Sequence, residues 1–220
     1  MIEKAKLIDI KEDGTATFQC KVDIDRFIKW KIKEAYIEPI DSRDISEQQR
    51  KTVYMFIKAI ADYMGENAAA AKNMLKLDFA NAVLDTLNDR MFSLSNTPMS
   101  VAAQFENYLV NFIIENDVPT DFRIYEFAND INYYIHMCLK NKKCAVCGKR
   151  AELHHITAVG MGNDREEICH IGMEAISLCR EHHTEAHTIG NNEFMNRYHF
   201  DRGIKIDETI AKIYKLRAKE

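Results

Sequence analysis

The sequence predicts an α+β protein in two parts: a small antiparallel sheet with helices over residues 1–138, then a compact metal-bearing unit over residues 139–220. Three observations predict it. Period-two alternation flanks a turn near the N-terminus, and helical periodicity runs from Ser46 to about residue 140. Five of the six cysteines and seven of the eight histidines crowd between His136 and His187.

The first element is a hairpin. Lys4 to Asp9 and Thr15 to Val22 alternate polar and apolar residues around Lys11-Glu12-Asp13-Gly14, a sequence suited to a tight turn. Asp25 to Lys33 reads as a short helix, and Ala35 to Ile40 as a strand that Pro39 confines to an edge. Ser46 followed by Gln49 is a capping box. It opens a helix with Val53, Phe56, Ile57, Ile60 and Met64 on one face, which Gly65 ends. Further helices are expected at 67–78, 79–89, 99–116 and 121–140. The third carries Phe105, Leu109, Phe112 and Ile113 on one face, and the fourth carries Phe127, Ile131, Tyr134 and Ile135. Arg26, Lys29, Trp30, Lys31 and Lys33 interleave base and aromatic, a pattern that could clamp a single strand. A solvated face with Trp30 packed in a core is the reading preferred here.

Composition excludes several classes. With 46% hydrophobic and 29% charged residues, three prolines and eight glycines in 220 residues, the chain is neither collagen-like nor broadly disordered. No apolar run is long enough to span a membrane, and Met1-Ile2-Glu3-Lys4 leads into alternation rather than a signal-peptide core, so a cytoplasmic protein is expected. Residues 141–220 hold 13 basic and 12 acidic side chains, against 17 and 22 in the remainder. Neither part is basic enough to predict nucleic-acid binding from net charge. Such a partner must be held by a local patch or a metal. Nucleotide-binding fingerprints and nucleophile elbows are absent from the sequence, which argues against a small-molecule enzyme.

The cysteines and histidines divide into two ligand groups. Cys144-Ala145-Val146-Cys147-Gly148 is a CxxC turn, and Cys179-Arg180-Glu181-His182 repeats its spacing after 31 residues. Cys144, Cys147, Cys179 and His182 can therefore close a tetrahedral, structural Zn²⁺ site. His183 and His187 are four apart on one expected helix, so they share a face, with His182 turned about 100° toward the zinc. In Leu153-His154-His155-Ile156, strand geometry sends adjacent histidines to opposite sides, letting one bind metal while its neighbour faces substrate. Three histidines with open positions suit hydrolysis.

The composite Cys144-x-x-Cys147, Leu153-His154-His155-Ile156 and Ile176-Ser177-Leu178-Cys179-x-x-His182-His183-x-x-x-His187 resembles the HNH, or ββα-metal, nuclease motif over roughly residues 141–190. The resemblance implies two antiparallel strands and a helix around one catalytic divalent cation, such as Mg²⁺ or Mn²⁺, with a zinc knuckle bracing the ends. It implies that His154, His183 and His187 hold the cation and that His155 is the general base. The family's middle asparagine, which orients that base, is replaced here by Glu174. Either Glu174 orients His155, or Asn163 in the loop Gly160-Met161-Gly162-Asn163-Asp164-Arg165 takes part, or activity is weak; Glu174 is ranked first. Arg165 could contact the phosphate of DNA or simply face solvent. His170 is either a spare ligand or a packing histidine, and Cys138 and Cys20 read as structural thiols.

The order of elements also resembles bacteriophage HNH nucleases whose front half is similar to phage Orf-type recombination mediators, with Ser46 to Arg50 and Ser93 to Asn96 among the similar stretches. That resemblance implies single-stranded or branched DNA as substrate, a single-strand binding protein and a recombinase as partners, and a homodimer. The expectation is a metal-dependent DNA endonuclease of phage recombination. Its competitors are a non-catalytic, zinc-stapled DNA-binding mediator and a restriction-type nuclease that reads duplex DNA. In the tail, Phe194 and Tyr198 are expected to pack on the nuclease unit, and Lys212, Lys215, Arg217 and Lys219 to form a solvated terminus.

Overall fold

The computed structural model describes residues 5–34, 37, 41, 43–83, 92–156 and 169–218. It is a mixed α+β structure whose contacts divide into two units, Met1–Asp41 and Ser42–Glu220.

In the first unit, β1 (Lys6–Ile10) pairs antiparallel with β2 (Ala16–Gln19), with Lys6 opposite Gln19 and Ile10 opposite Ala16. The expected turn closes it. Gly14 donates to the Lys11 carbonyl at 3.0 Å with φ of 84°, a value that glycine adopts without a Cβ penalty, and Asp13 accepts from the Thr15 amide at 2.8 Å. Asp23 caps α1 (Ile24–Lys29) by accepting from the Arg26 amide. Trp30 is not in a core: it is 59% exposed, with the Arg26 guanidinium 4.4 Å above its ring. The interleaving of bases with an aromatic is thus a surface feature, because a two-stranded hairpin and a six-residue helix enclose too little volume to bury an indole. Of the strand expected at 35–40, only Ile37 lies within the described residues.

The second unit opens on α2 (Glu47–Met64). Both bonds of the capping box form, Ser46 Oγ accepting from the Gln49 amide and Gln49 Oε1 from the Ser46 amide, and Gly65 ends the helix in the left-handed region. α3 (Ala68–Val83) continues through 78/79, where two helices were expected. Nothing in Leu77-Asp78-Phe79 breaks a helix, and Phe79 is fully buried against Phe92, Phe105 and Tyr108. The end of the second expected helix lies outside the described residues. α4 (Met99–Glu115) packs on α2 and α3 and buries Phe105, Leu109 and Ile113, with Phe105 beside Phe79.

The helix expected over 121–140 is divided. A 3₁₀ turn (Ile124–Glu126) precedes α5 (Ile131–Lys140), whose N-cap Asp130 accepts from the Tyr133 amide at 2.9 Å. Asparagine and aspartate compete with the helix for backbone donors, so Asn129-Asp130 serves as the start of a helix and not its interior.

Glu106 decides how this junction responds to pH. It is 1% exposed on α4 and accepts from the Asn129 amide at 2.7 Å. Burial pushes its carboxyl up to about 7, with the amide bond pulling the other way. The fold therefore favours protonated Glu106. Below the unfolded value of 4.5 both states are protonated and the full stability is present; it is lost as pH rises toward the folded value near 7. Glu106→Gln keeps the acceptor without the charge, so it should stabilise by up to roughly 3 kcal/mol at about pH 8 and by almost nothing at about pH 4. Urea midpoints at the two pH values check this, and equal shifts at both would refute it.

α5 packs on a three-stranded antiparallel sheet in the order β3 (Glu152–His155), β4 (Glu174–Leu178), β5 (Ile204–Lys205). His154 faces Ile176 and His155 faces Ala175 across the β3/β4 ladder. The third strand adds to the two that the motif implied. It approaches closely enough that a Cβ on Gly203 would stand 3.0 Å from the Ala175 nitrogen, a tight contact that glycine avoids. α6 (Arg180–Ile189) and α7 (Asn191–Arg197) follow β4, with Phe194 fully buried. α8 (Glu208–Tyr214) seats Ile210 and Ala211 against α5, so the C-terminal helix is packed and not frayed.

One buried apolar cluster runs from Ile45 to Ala211, and the Tyr134 hydroxyl donates to the Ala145 carbonyl at 2.8 Å. The boundary expected at 138/139 falls inside this second unit.

Candidate active site

The zinc-type cluster is built by a turn and a helix start. Gly148, at φ 69°, donates to the Cys144 carbonyl, which folds Cys144 and Cys147 back toward each other. Cys179 is the N-cap of α6 and His182 lies in its first turn. Cys147 Sγ stands 3.6 Å from Cys179 Sγ, and His182 Nδ1 stands 3.4 Å from Cys144 Sγ and 3.1 Å from Cys179 Sγ. Tetrahedral zinc with ordinary ligand bonds would need edges of roughly 3.4–3.8 Å. Two of the three separations fall in that range and the His182–Cys179 one is about 0.3 Å shorter, so Cys144, Cys147, Cys179 and His182 are grouped as such an ion needs, as expected. All five cysteines from Cys138 to Cys179 are free thiols, and burial pushes Cys144 up to about 12. A closely spaced set of thiols with two of them buried ionises readily only onto a cation.

The second group lies on β3 and the outer turns of α6. His154, His183 and His187 offer ligand atoms all within 4.8 Å of one another. Their ring centroids are 4.7 Å apart for His154 and His183, and 4.9 Å for each other pair. His154 is buried, and desolvation chiefly lowers its pKa, with His183 and His187 adding to that and an Asn191 hydrogen bond opposing it. It is consequently neutral near pH 7, the form that donates a lone pair to a metal. His183 Nδ1 lies 3.8 Å from a carboxylate oxygen of exposed Glu152, beyond hydrogen-bond distance.

His155, one residue along β3, points elsewhere. Its Nε2 stands 2.9 Å from Nδ1 of His170, which is itself buried. Alternation thus separates the two histidines, one toward His183 and His187 and one toward His170.

With this geometry in view, comparison with known families is informative: the model described as "Putative HNHc nuclease" matches residues 23–217, nearly the whole chain. The chain belongs to this HNH nuclease family. No curated protein and no solved structure matches it. As a member of the family it is a hydrolase acting on phosphodiester bonds. The matched span contains α1 and every later element, whereas β1 and β2 precede it. No helix among the described residues is long and apolar enough to cross a membrane.

The remaining expected site residues of the HNH nuclease fall as follows. Glu174 begins β4, and its carbonyl accepts from the Ile156 amide at 2.8 Å, directly after His155. Arg165 and Asn163 lie outside the described residues. His170 is brought to His155, away from the three clustered histidines.

One residue of the site was not foreseen. Asn191, the first residue of α7, contacts His154 and the carbonyls that follow His154. A signal for it existed: His183, His187 and Asn191 continue a four-residue spacing, although the helix ends between the last two.

Proposed function

We propose that this HNH nuclease is a metal-dependent DNA endonuclease in which His155 activates the attacking water. The observation that supports it is the division of β3: His154 joins His183 and His187 in a set of cation ligands, while His155, on the next residue, faces away from that set toward His170.

A neutral imidazole takes a proton from water near pH 7, and the oxygen so activated attacks the scissile phosphorus as the bond to the 3′ oxygen breaks. His154, His183 and His187 would hold the catalytic divalent cation, Mg²⁺, Mn²⁺ or a similar ion. When bound, that ion supplies Lewis-acid polarisation of the phosphate and charge stabilisation at the leaving oxygen. Glu174 and His170 flank His155 and would fix its orientation, and Arg165 would contact substrate phosphate. The zinc knuckle, Cys144, Cys147, Cys179 and His182, would hold the N-terminal end of α6, the helix that bears two of the cation ligands.

The resemblance to phage Orf-type mediators supports the finer reading: single-stranded or branched DNA as substrate, recombination in the host cytoplasm, a single-strand binding protein and a recombinase as partners, and a homodimer. Residues 1–138 would then serve recognition and 139–220 the chemistry.

The test is cleavage of single-stranded, branched and duplex DNA by the zinc-loaded protein with Mg²⁺, Mn²⁺ or EDTA. Cutting is expected with added metal, to vanish in EDTA, and to be faster on single-stranded or branched DNA. Binding without cutting under every condition would instead favour a zinc-stapled mediator. Preferred cutting of a specific duplex sequence would favour a restriction-type enzyme.

A further inference from the structure

We infer that Asn191 is a positioning residue that fixes which nitrogen of His154 faces the cation and ties the end of β3 to the cation-binding helix. The inference rests on the reading of His154, His183 and His187 as a cation site, and it adds a residue to that site from outside the motif.

Hydrogen-bond chemistry decides the orientation of the amide. Asn191 Nδ2 lies 2.9 Å from the Ile156 carbonyl oxygen and 3.3 Å from that of His155. Both are acceptors only, so the NH₂ group must face them. The Asn191 oxygen consequently faces His154, 2.9 Å from Nε2. Because a carboxamide oxygen can only accept, Nε2 carries the proton. A neutral imidazole has one N–H, which leaves Nδ1 as the lone pair that His154 can offer a metal. Metal-binding histidines generally donate their second nitrogen to such an acceptor, which fixes the tautomer and the ring.

Local backbone geometry brings the amide there. Gly190, at φ 86° and ψ 151°, ends α6 and starts α7, a conformation favoured by glycine. The break turns the chain at Gly190, three residues after His187, so that the next side chain, Asn191, reaches back across to β3. Asn191 thus joins the helix that bears His183 and His187 to the strand that bears His154 and His155. The family's middle asparagine is replaced by Glu174 in this chain; the Glu174 carbonyl accepts from the Ile156 amide, and Asn191 donates to the carbonyls of His155 and Ile156.

Two measurements on the full-length, zinc-loaded protein test this. The first needs no variant: side-chain ¹⁵N spectra before addition of a second metal, near pH 8, should show His154 as the Nε2–H tautomer. Observation of the Nδ1–H tautomer would overturn the inference. The second is titration of Co²⁺, followed by its absorption, with the thiolate charge-transfer band monitored to show that the cysteine site stays filled by zinc. Asn191→Ala should weaken Co²⁺ binding by about 10–100-fold. Asn191→Asp keeps an acceptor for His154 but loses both donors to the carbonyls, so it should bind Co²⁺ within a few-fold of wild type and show a lower kcat with KM little changed. Wild-type Co²⁺ affinity in Asn191→Ala would sink the inference while leaving the cation site standing. If the wild type itself binds no Co²⁺ at the histidines, the site reading and the inference fall together.

Discussion

The His155→Ala variant is expected to retain its fold, its zinc and its affinity for a second cation while cleaving DNA about 10²–10⁴-fold more slowly, the usual range for loss of a general base. The expectation follows from the direction of two adjacent side chains. His154 belongs to the group whose ligand atoms lie within 4.8 Å of one another, and His155 does not. His155 is only partly buried, so truncation leaves no large cavity, and its pairing with Ala175 through the backbone persists. The loss should appear in kcat with KM little changed, because the base acts on water in the transition state and does not hold the substrate. His183→Ala should give the opposite pattern, losing the second cation and requiring more metal for whatever activity remains. If His155→Ala cleaves at the wild-type rate, His155 is not the base. If it loses the cation as His183→Ala does, the division of roles along β3 is wrong.

The grouping of these side chains was visible in the sequence because ligand chemistry is local. CxxC and CxxH turns, two histidines four apart and two adjacent histidines each encode a geometry within a few residues. The capping box of α2 was legible for the same reason, since both of its bonds join Ser46 and Gln49. Features set by distant partners were not. Phe79 stays helical because residues 92, 105 and 108 enclose it, and no pattern near 79 reports them. β5 is two residues long and exists through its pairing with β4, some thirty positions earlier, where Gly203 allows the approach. Trp30 was placed in a core because a stripe of bases around one aromatic is a weak sign of binding, yet its unit is too small to enclose it. His170 and Asn191 reach the site across 15 and 37 residues of chain, so their types could be read but their destinations could not.

Removal of the zinc is expected to cost both stability and the second metal site. In isolated zinc fingers, metal binding is worth about 10–16 kcal/mol and carries the whole fold. Here part of the structure stands without it: Cys144 and Cys179 belong to a core that extends from Ile45 to Ala211, and the Tyr134–Ala145 hydrogen bond and the β3/β4 ladder hold the same segments. If a third of the binding energy remains as stabilisation, roughly 4 kcal/mol, Cys144→Ser or Cys179→Ser should lower the thermal midpoint by about 8–16 °C for a unit of this size. The second consequence is sharper. α6 starts at Cys179, places His182 in the zinc cluster and places His183 and His187 beside His154. The cluster therefore anchors the N-terminal turn of the helix that presents two cation ligands, and fraying of that turn moves them. Cys179→Ser should accordingly weaken Co²⁺ binding at the histidines although it alters none of them, whereas Cys20→Ser, on an exposed residue of the other unit, should change neither property. Calorimetric unfolding and Co²⁺ titration of the three variants check both expectations. An unchanged midpoint in Cys144→Ser and Cys179→Ser would show that the four side chains do not hold a structural ion; a lowered midpoint with unaltered Co²⁺ affinity would show that the two metal sites are built independently despite sharing one helix.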